Sequence, residues 1–296
     1  MTRLRRAVHF VPSANEKMLQ KSLVLPADVL VLDLEDSVTP ENKDSAREVV
    51  TDWLKRVNFG RQERMVRMNP IDTSWGLPDL EVTMRGRPDS YLVPKVRTKD
   101  DVLKIDTILS RLEREYRYPA GGVKMVVLAT ETPQGLLNIR DLACCPRVDA
   151  LSWGAEDLSA AIGARRNRDE QGQFLEVFRY ARIMTLLAAT AAGVQPIDTV
   201  FVDINDKEGL RRDCLEGAWM GFTGKVTIHP GQIEVVNEVY TPSAAESAES
   251  KELLAAFAEN QKAGKMAFNF KGQMVDVPHL TRARTILERA RQAGVA

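Results

Sequence analysis

The sequence predicts an α/β fold: a (β/α)8 TIM barrel with a C-terminal helical lid segment. Three observations carry this prediction. Short apolar runs alternate with longer charge-rich stretches eight times in about the first 240 residues, the rhythm left by parallel strands joined through helical crossovers. No G-x-G-x-x-G follows the first run, so an open doubly wound sheet, the fold that competes for the same rhythm, lacks its phosphate-binding turn. The alternation then stops after Tyr240, where Thr241-Pro242-Ser243 interrupts the chain. The expected organisation is a barrel over 1–240 and a lid and oligomerisation segment over 241–296.

The strand-like runs, in order, are 7–11, 29–34, 65–68, 91–94, 123–129, 148–153, 199–202 and 226–228. Between them, 43–57, 99–116, 174–192 and 206–220 mix charged and apolar residues as helices do. Beyond 240 an Ala/Glu/Lys-rich helix is expected. It is followed by Phe268-Asn269-Phe270-Lys271-Gly272-Gln273-Met274-Val275-Asp276 and a last helix over 280–293.

Composition narrows the function classes. Lys plus Arg and Asp plus Glu are both 41, so the formal net charge is zero. Such a chain has no overall field to attract nucleic acid or an anionic membrane. Its longest apolar stretch, 184–194, is too short to span a bilayer, and the basic N-terminus is not followed by the apolar run of a signal peptide. Three cysteines, Cys144, Cys145 and Cys214, have no metal-ligand spacing; free thiols in a reducing cytoplasm are expected.

Barrel enzymes place their reactive groups at the C-terminal ends of the strands. Here those ends read Asp33-Leu34-Glu35-Asp36, Arg67-Met68-Asn69, Pro94-Lys95, Glu131-Thr132-Pro133 and Gly154-Ala155-Glu156-Asp157. One mouth would gather several carboxylates, an Arg and a Lys. Clustered carboxylates repel unless a cation or protons neutralise them. Oxygen ligands without His or Cys suit Mg²⁺, which takes one or two carboxylates and completes its shell with substrate and water. Arg67 can grip a substrate carboxylate by two points, and metal plus Arg is a sensible way to hold an α-keto acid. Plainer readings stand beside these. Glu131 precedes Pro133 as at a helix start, Asp157 can flank a helix, and Asp33, Glu35 and Asp36 can form a solvated turn. His229 before Pro230 reads as a turn histidine, with a catalytic base as the alternative, and His9 as a packing residue. Lys17 and Lys21 share a helix face, either solvated or touching phosphate.

A set of motifs in order along nearly the whole chain is more specific. It runs through Arg6-Ala7-Val8-His9-Phe10-Val11-Pro12, Leu32-Asp33-Leu34-Glu35-Asp36-Ser37-Val38, Val66-Arg67-Met68-Asn69, Pro94-Lys95-Val96 and Glu131-Thr132-Pro133-Gln134-Gly135. It continues through Gly154-Ala155-Glu156-Asp157-Leu158, Gly221-Phe222-Thr223-Gly224-Lys225, Ile228-His229-Pro230 and Gly272-Gln273-Met274-Val275-Asp276-Val277-Pro278. With these motifs the chain resembles the citrate lyase β-subunit-like family, which includes malyl-CoA and citramalyl-CoA lyases. The stand-alone citramalyl-CoA lyases are most similar through 220–230 and 268–278.

The resemblance implies a Mg²⁺-dependent carbon–carbon lyase that splits a β-hydroxyacyl-CoA into an acyl-CoA and an α-keto acid. It implies Glu131 and Asp157 as Mg²⁺ ligands and Arg67 as the holder of the keto-acid carboxylate. It also implies Phe10, Lys17 and Lys21 as CoA contacts, and Asp276 as a catalytic carboxylate on a segment that covers a neighbouring subunit's site. A homotrimer, or a multiple of trimers, is then expected. Two departures are local: many members have Pro-Gly where Pro12-Ser13 stands, and close relatives have Tyr where Phe10 stands. Three other functions remain open at this stage. They are a citrate lyase β-subunit acting on a carrier-linked thioester, a malate synthase-like condensation with hydrolysis, and a non-catalytic CoA or organic-acid binding protein.

Overall fold

The computed structural model describes residues 3–13 and 15–295. Eight parallel strands close into a barrel in sequence order, with β1 paired to both β2 and β8. They are β1 (Ala7–Pro12), β2 (Val29–Asp33), β3 (Glu63–Arg67), β4 (Ser90–Val93), β5 (Lys124–Leu128), β6 (Val148–Ser152), β7 (Gln195–Asp198) and β8 (Gly224–Thr227). The helices are α1 (Glu16–Ser22), α2 (Lys43–Arg56), α3 (Gly76–Thr83), α4 (Lys99–Glu115), α5 (Pro133–Leu137), α6 (Ile139–Ala143), α7 (Ala155–Ala161), α8 (Glu176–Ala192), α9 (Lys207–Met220), α10 (Ile233–Tyr240), α11 (Ala244–Lys262) and α12 (Val277–Gln292).

The chain divides into two compact units, one over Arg5–Asn237 and one that begins at Glu238. In the first, alternate strand residues point inward: Val8, Val29, Val31, Met65, Leu92, Val126, Leu128, Ala150, Ile197 and Val226 form one buried cluster. The interior is therefore a packed core rather than a pore. The helices bury one stripe each. In α4, Val102, Ile105, Leu109 and Leu112 are buried at helical spacing, behind a Thr98–Asp101 capping box. Arg5 enters below the core and is itself buried. Its Nε and Nη2 donate to Glu63 at 2.7 and 2.9 Å, and its Nη1 donates to Asp149 and Gln195 at 3.0 Å. Four strand starts are thereby tied at the end remote from the mouth. Gly224 is required where β8 passes this entry, because a Cβ there would lie 1.8 Å from the Arg5 carbonyl oxygen.

The seventh strand departs from expectation. It is Gln195–Asp198, not 199–202. Thr199-Val200-Phe201-Val202 is β-branched and apolar, and so reads as a strand, whereas Pro196 argues against one. The proline is tolerated because its carbonyl still accepts from the Thr223 N–H at 2.9 Å and Ile197 faces the core. The shift makes Asp198, rather than Val202, the strand's C-terminal residue.

In the second unit α11 packs on α12, and β9 (Phe268–Phe270) pairs antiparallel with β10 (Gln273–Val275). Lys271 and Gly272 both have positive φ, 51° and 86°, as a two-residue type I′ turn requires. Phe257 and Phe268 meet edge to face at 5.2 Å. Cys144, Cys145 and Cys214 are free thiols. Among the described residues, no helix is long and apolar enough to cross a membrane.

Candidate active site

A cavity of about 390 Å³ opens at the C-terminal ends of the strands. Its walls differ in character. Leu128, Trp153, Val200, Val226 and Ile228 give an apolar side, while Asp33, Asp36, Arg67, Glu131 and Asp157 give a charged one. Phe10 lies between them, under the Arg67 guanidinium at 4.6 Å.

Glu131 comes three residues after β5. Thr132 caps α5 by accepting from the Gly135 N–H at 2.9 Å, and Pro133 opens the helix, so the helix-start reading of Glu-Thr-Pro holds. The same turn nevertheless sends the Glu131 side chain inward, where it is buried. Its Oε2 accepts from the Lys95 backbone N–H at 2.7 Å. Gly154 leaves room for it, since a Cβ there would lie 2.6 Å from Glu131 Cγ. Burial pushes the Glu131 carboxyl well above the ordinary carboxylate range, and Asp157 and Glu35 add to the push. Asp157 lies in the first turn of α7, half-exposed, 3.4 Å from Lys95 Nζ.

Arg67, the last residue of β3, donates to Asp33 through Nε at 2.6 Å and Nη2 at 2.7 Å. Burial alone would raise the Asp33 carboxyl; the Arg67 pair outweighs it and holds it below its usual value. The other guanidinium nitrogen, Nη1, lies 2.9 Å from Glu35 and 3.2 Å from Asp36. The two-point grip anticipated for a substrate carboxylate is thus already made to Asp33, and Nη1 is the nitrogen that pairs outside it, with Glu35 and Asp36. Glu35 is buried, and burial raises its carboxyl despite Arg67 and Lys95. Lys95 Nζ sits 2.6 Å from Glu35 and 3.4 Å from Asp36. Burial lowers its affinity for a proton, but these carboxylates outweigh that and raise it.

The other candidates lie elsewhere. Lys17 and Lys21 are exposed on α1, outside the cavity lining. Asp276 belongs to the C-terminal unit. It stands at the N-cap of α12, with Oδ1 2.7 Å from His279 Nδ1. His229 Nδ1 accepts from the Gly231 N–H at 3.1 Å and so caps a turn, while buried His9 contacts Thr227 Oγ1 at 3.0 Å. Sequence reasoning passed over Asp198. Its Oδ1 accepts from the cavity residue Trp153 through Nε1 at 2.8 Å, and its Oδ2 accepts from Arg182 at 2.7 Å. Only the correct end of β7 would have exposed it.

Among the described residues, no three of His, Cys, Asp and Glu converge as a ready metal cage. The donor chemistry still fits a hard cation. Glu131 and Asp157 present carboxylate oxygens in a cavity with surplus negative charge, and such a pair would suit Mg²⁺ with substrate and water completing its shell.

Similarity to known proteins agrees with this architecture. Residues 6–230 match the model of the HpcH/HpaI aldolase/citrate lyase family. Mouse mitochondrial citramalyl-CoA lyase is 38% identical over 96% of this chain and 85% of its own length. The citrate lyase β-subunit of Escherichia coli is 35% identical over 99% and 96%. A Mycobacterium tuberculosis protein solved with magnesium, acetoacetate and coenzyme A superposes with a TM-score of 0.79 at 33% identity, covering 97% of this chain and 98% of that one. With the family match spanning most of the barrel and the relatives spanning nearly the whole chain, the protein belongs to the HpcH/HpaI aldolase/citrate lyase family of carbon–carbon lyases.

Proposed function

We propose that this lyase cleaves a β-hydroxyacyl-CoA thioester with Mg²⁺, and that a citramalyl-CoA type substrate suits it better than malyl-CoA. The single observation behind the reading is the divided cavity. Glu131, buried beside Asp157 and Glu35, calls for a cation, and the facing wall of Leu128, Val200, Val226 and Ile228 offers a methyl group an apolar surface. The 38% identity to citramalyl-CoA lyase supports the same choice.

Glu131 and Asp157 would hold the ion. When bound, Mg²⁺ supplies positive charge for the carboxylate and keto oxygen of the departing acid. Arg67 Nη1 would exchange Asp36 for the substrate carboxylate, while Asp33 keeps the guanidinium plane fixed. In the reaction the β-hydroxyl loses its proton and the bond between the α and β carbons breaks. The electron pair passes into the thioester as an enolate, and the α carbon takes up a proton. Asp276, on a C-terminal segment supplied by a neighbouring subunit of a trimer, is the candidate for that last transfer. Phe10, Lys17 and Lys21 would meet the CoA moiety, the lysines through its phosphates.

The test is a mass-spectrometric assay of the purified protein with Mg²⁺, acetyl-CoA or propionyl-CoA, and pyruvate, glyoxylate or oxaloacetate. Condensed thioester with pyruvate exceeding that with glyoxylate is expected. Preference for glyoxylate would overturn the citramalyl assignment. The 35% identity to a citrate lyase β-subunit favours a second reading, a carrier-linked thioester as substrate. Turnover of carrier-linked but not free CoA esters would establish it.

A further inference from the structure

Lys95 follows β4 with a φ of +52°, a conformation that residues with a Cβ rarely adopt. Among the described residues, four other non-glycine residues share positive φ. Arg87 and Arg117 end helical turns, Arg147 stands just before β6, and Lys271 lies in the β9–β10 turn. Lys95 differs in lying at the barrel mouth. Its backbone N–H donates to Glu131 Oε2 at 2.7 Å. Its ammonium stands 3.4 Å from Asp157, 2.6 Å from Glu35 and 3.4 Å from Asp36. One residue therefore holds both carboxylates of the proposed metal pair, Glu131 through its main chain and Asp157 through its side chain.

The charge arithmetic at the mouth gives this arrangement a consequence. Asp33, Glu35, Asp36, Glu131 and Asp157 face Arg67 and Lys95, with a third cation, Lys43, behind them on the Leu34 and Glu35 carbonyls, so carboxylates still outnumber cations. Arg67 is committed to Asp33 by two hydrogen bonds. Lys95 is then the cation whose ammonium stands beside Asp157. A divalent ion arriving at Asp157 meets repulsion from this ammonium, and an anionic keto acid arriving after the ion meets attraction.

We propose that Lys95 is a positioning residue for this site: its amide orients Glu131, and its ammonium weakens capture of the metal alone while strengthening capture of the keto acid on the metal-loaded enzyme. This inference rests on the metal reading given above for Glu131 and Asp157.

The experiment is calorimetry on the full-length protein, first with Mg²⁺ alone and then with pyruvate at saturating Mg²⁺. Charges this close at a partly exposed site change binding by about tenfold. Lys95→Met should therefore bind Mg²⁺ about tenfold more tightly and pyruvate about tenfold more weakly. Lys95→Gly keeps the amide and relieves the left-handed backbone, so it should shift both affinities in the same directions. Lys95→Arg, which keeps the charge, should stay within about threefold of the parent on both measures. A merely structural lysine predicts that both affinities fall in Lys95→Met, and that result, or no change in either, overturns the proposal. If Lys95→Met does not fold, Lys95→Gln carries the same test. A Glu131→Gln control separates the two levels. If the parent binds no Mg²⁺, or Glu131→Gln binds it equally well, the metal reading itself fails. If the parent binds, Glu131→Gln does not, and Lys95→Met weakens both ligands, only the Lys95 inference fails.

Discussion

Two charged clusters lie within the barrel unit, and they are balanced differently. Around β7, β8 and α9, Arg168, Arg182 and Lys225 meet Asp198, Asp213 and Glu216. Cations and carboxylates are equal in number there. Burial alone would raise the Asp213 carboxyl, but Lys225, Arg168 and Arg182 outweigh it and hold the carboxyl far below its ordinary value. At the mouth, burial acts in the same direction on Glu131, but its neighbours Asp157 and Glu35 reinforce it. Burial is thus common to both clusters; the supply of cations is what differs. A balanced cluster is complete as it stands, and breaking it exposes the partner left behind. On the metal reading proposed above, an unbalanced one is completed by a cation, which is why the two should respond oppositely to loss of a carboxylate.

The largest loss of stability is expected from Asp213→Ala. Lys225 is fully buried, and Asp213 is its nearer partner at 2.5 Å, with Asp198 at 3.4 Å. Stranding that ammonium should cost about 3–5 kcal/mol, read as a lower urea midpoint with an unchanged slope. A loss under about 1 kcal/mol would mean that the two clusters do not differ in the way their charges suggest.

The two clusters were also unequally legible in the sequence. The mouth could be read because a (β/α)8 rhythm names the strand ends in advance, and Arg67, Glu131 and Asp157 stand at or just beyond them. The balanced cluster could not, because its members come from β7, α8, β8, α9 and, for Arg168, the loop before α8, and meet only when those parts pack. The misplacement of β7 by four residues hid Asp198 further: local β-propensity favoured Thr199–Val202 as numbers 199–202 of the strand, and the register with β6 and β8 overrode it. Nor does sequence disclose the left-handed backbone of Lys95 or the pairing of Asp276 with His279, since both depend on a turn geometry that many residues would permit.

A smaller and pH-dependent effect comes from a buried base with no carboxylate beside it. His9 faces Thr227 where β1 meets β8. Burial lowers its pKa to about 4, with a further push from His229. An unfolded chain would protonate it near its ordinary value of about 6.5. Between those values the unfolded state binds a proton that the folded state refuses, so stability present above pH of about 6.5 is lost as pH falls toward 4. The expected loss is about 3 kcal/mol. His9→Gln should flatten that part of the stability–pH curve measured by urea unfolding; an unchanged curve would assign the acid loss to other groups.

Asp276 offers a test with a still smaller thermodynamic effect. It is half-exposed at the N-terminus of α12, paired with His279. Asp276→Ala should cost about 0.5–1 kcal/mol, whereas the proposed proton transfer predicts a loss of turnover far beyond that. Co-expression of Asp276→Ala with Glu131→Gln subunits should restore part of the activity if the segment serves a neighbour's site. Mixed oligomers, confirmed by mass, that show no rescue would remove Asp276 from a shared site.

At the mouth the expected stability effect approaches zero or changes sign. Glu131→Gln keeps an oxygen for the Lys95 N–H and removes the charge. A carboxyl whose folded pKa is raised holds its proton more tightly than the unfolded chain does, so its contribution is lost as pH rises from the unfolded value, about 4.3, through the raised one. Keeping Glu131 ionised is therefore a cost when no cation is present. In EDTA, Glu131→Gln should melt at the parent's temperature or above it. Added Mg²⁺ should raise the parent's melting temperature by mass action and leave the variant's unmoved. Turnover should fall at least about a thousandfold, as expected when stabilisation of developing charge is removed. A variant that melts well below the parent in EDTA would make Glu131 a structural partner of the Asp213 kind, and the contrast between the two clusters would collapse.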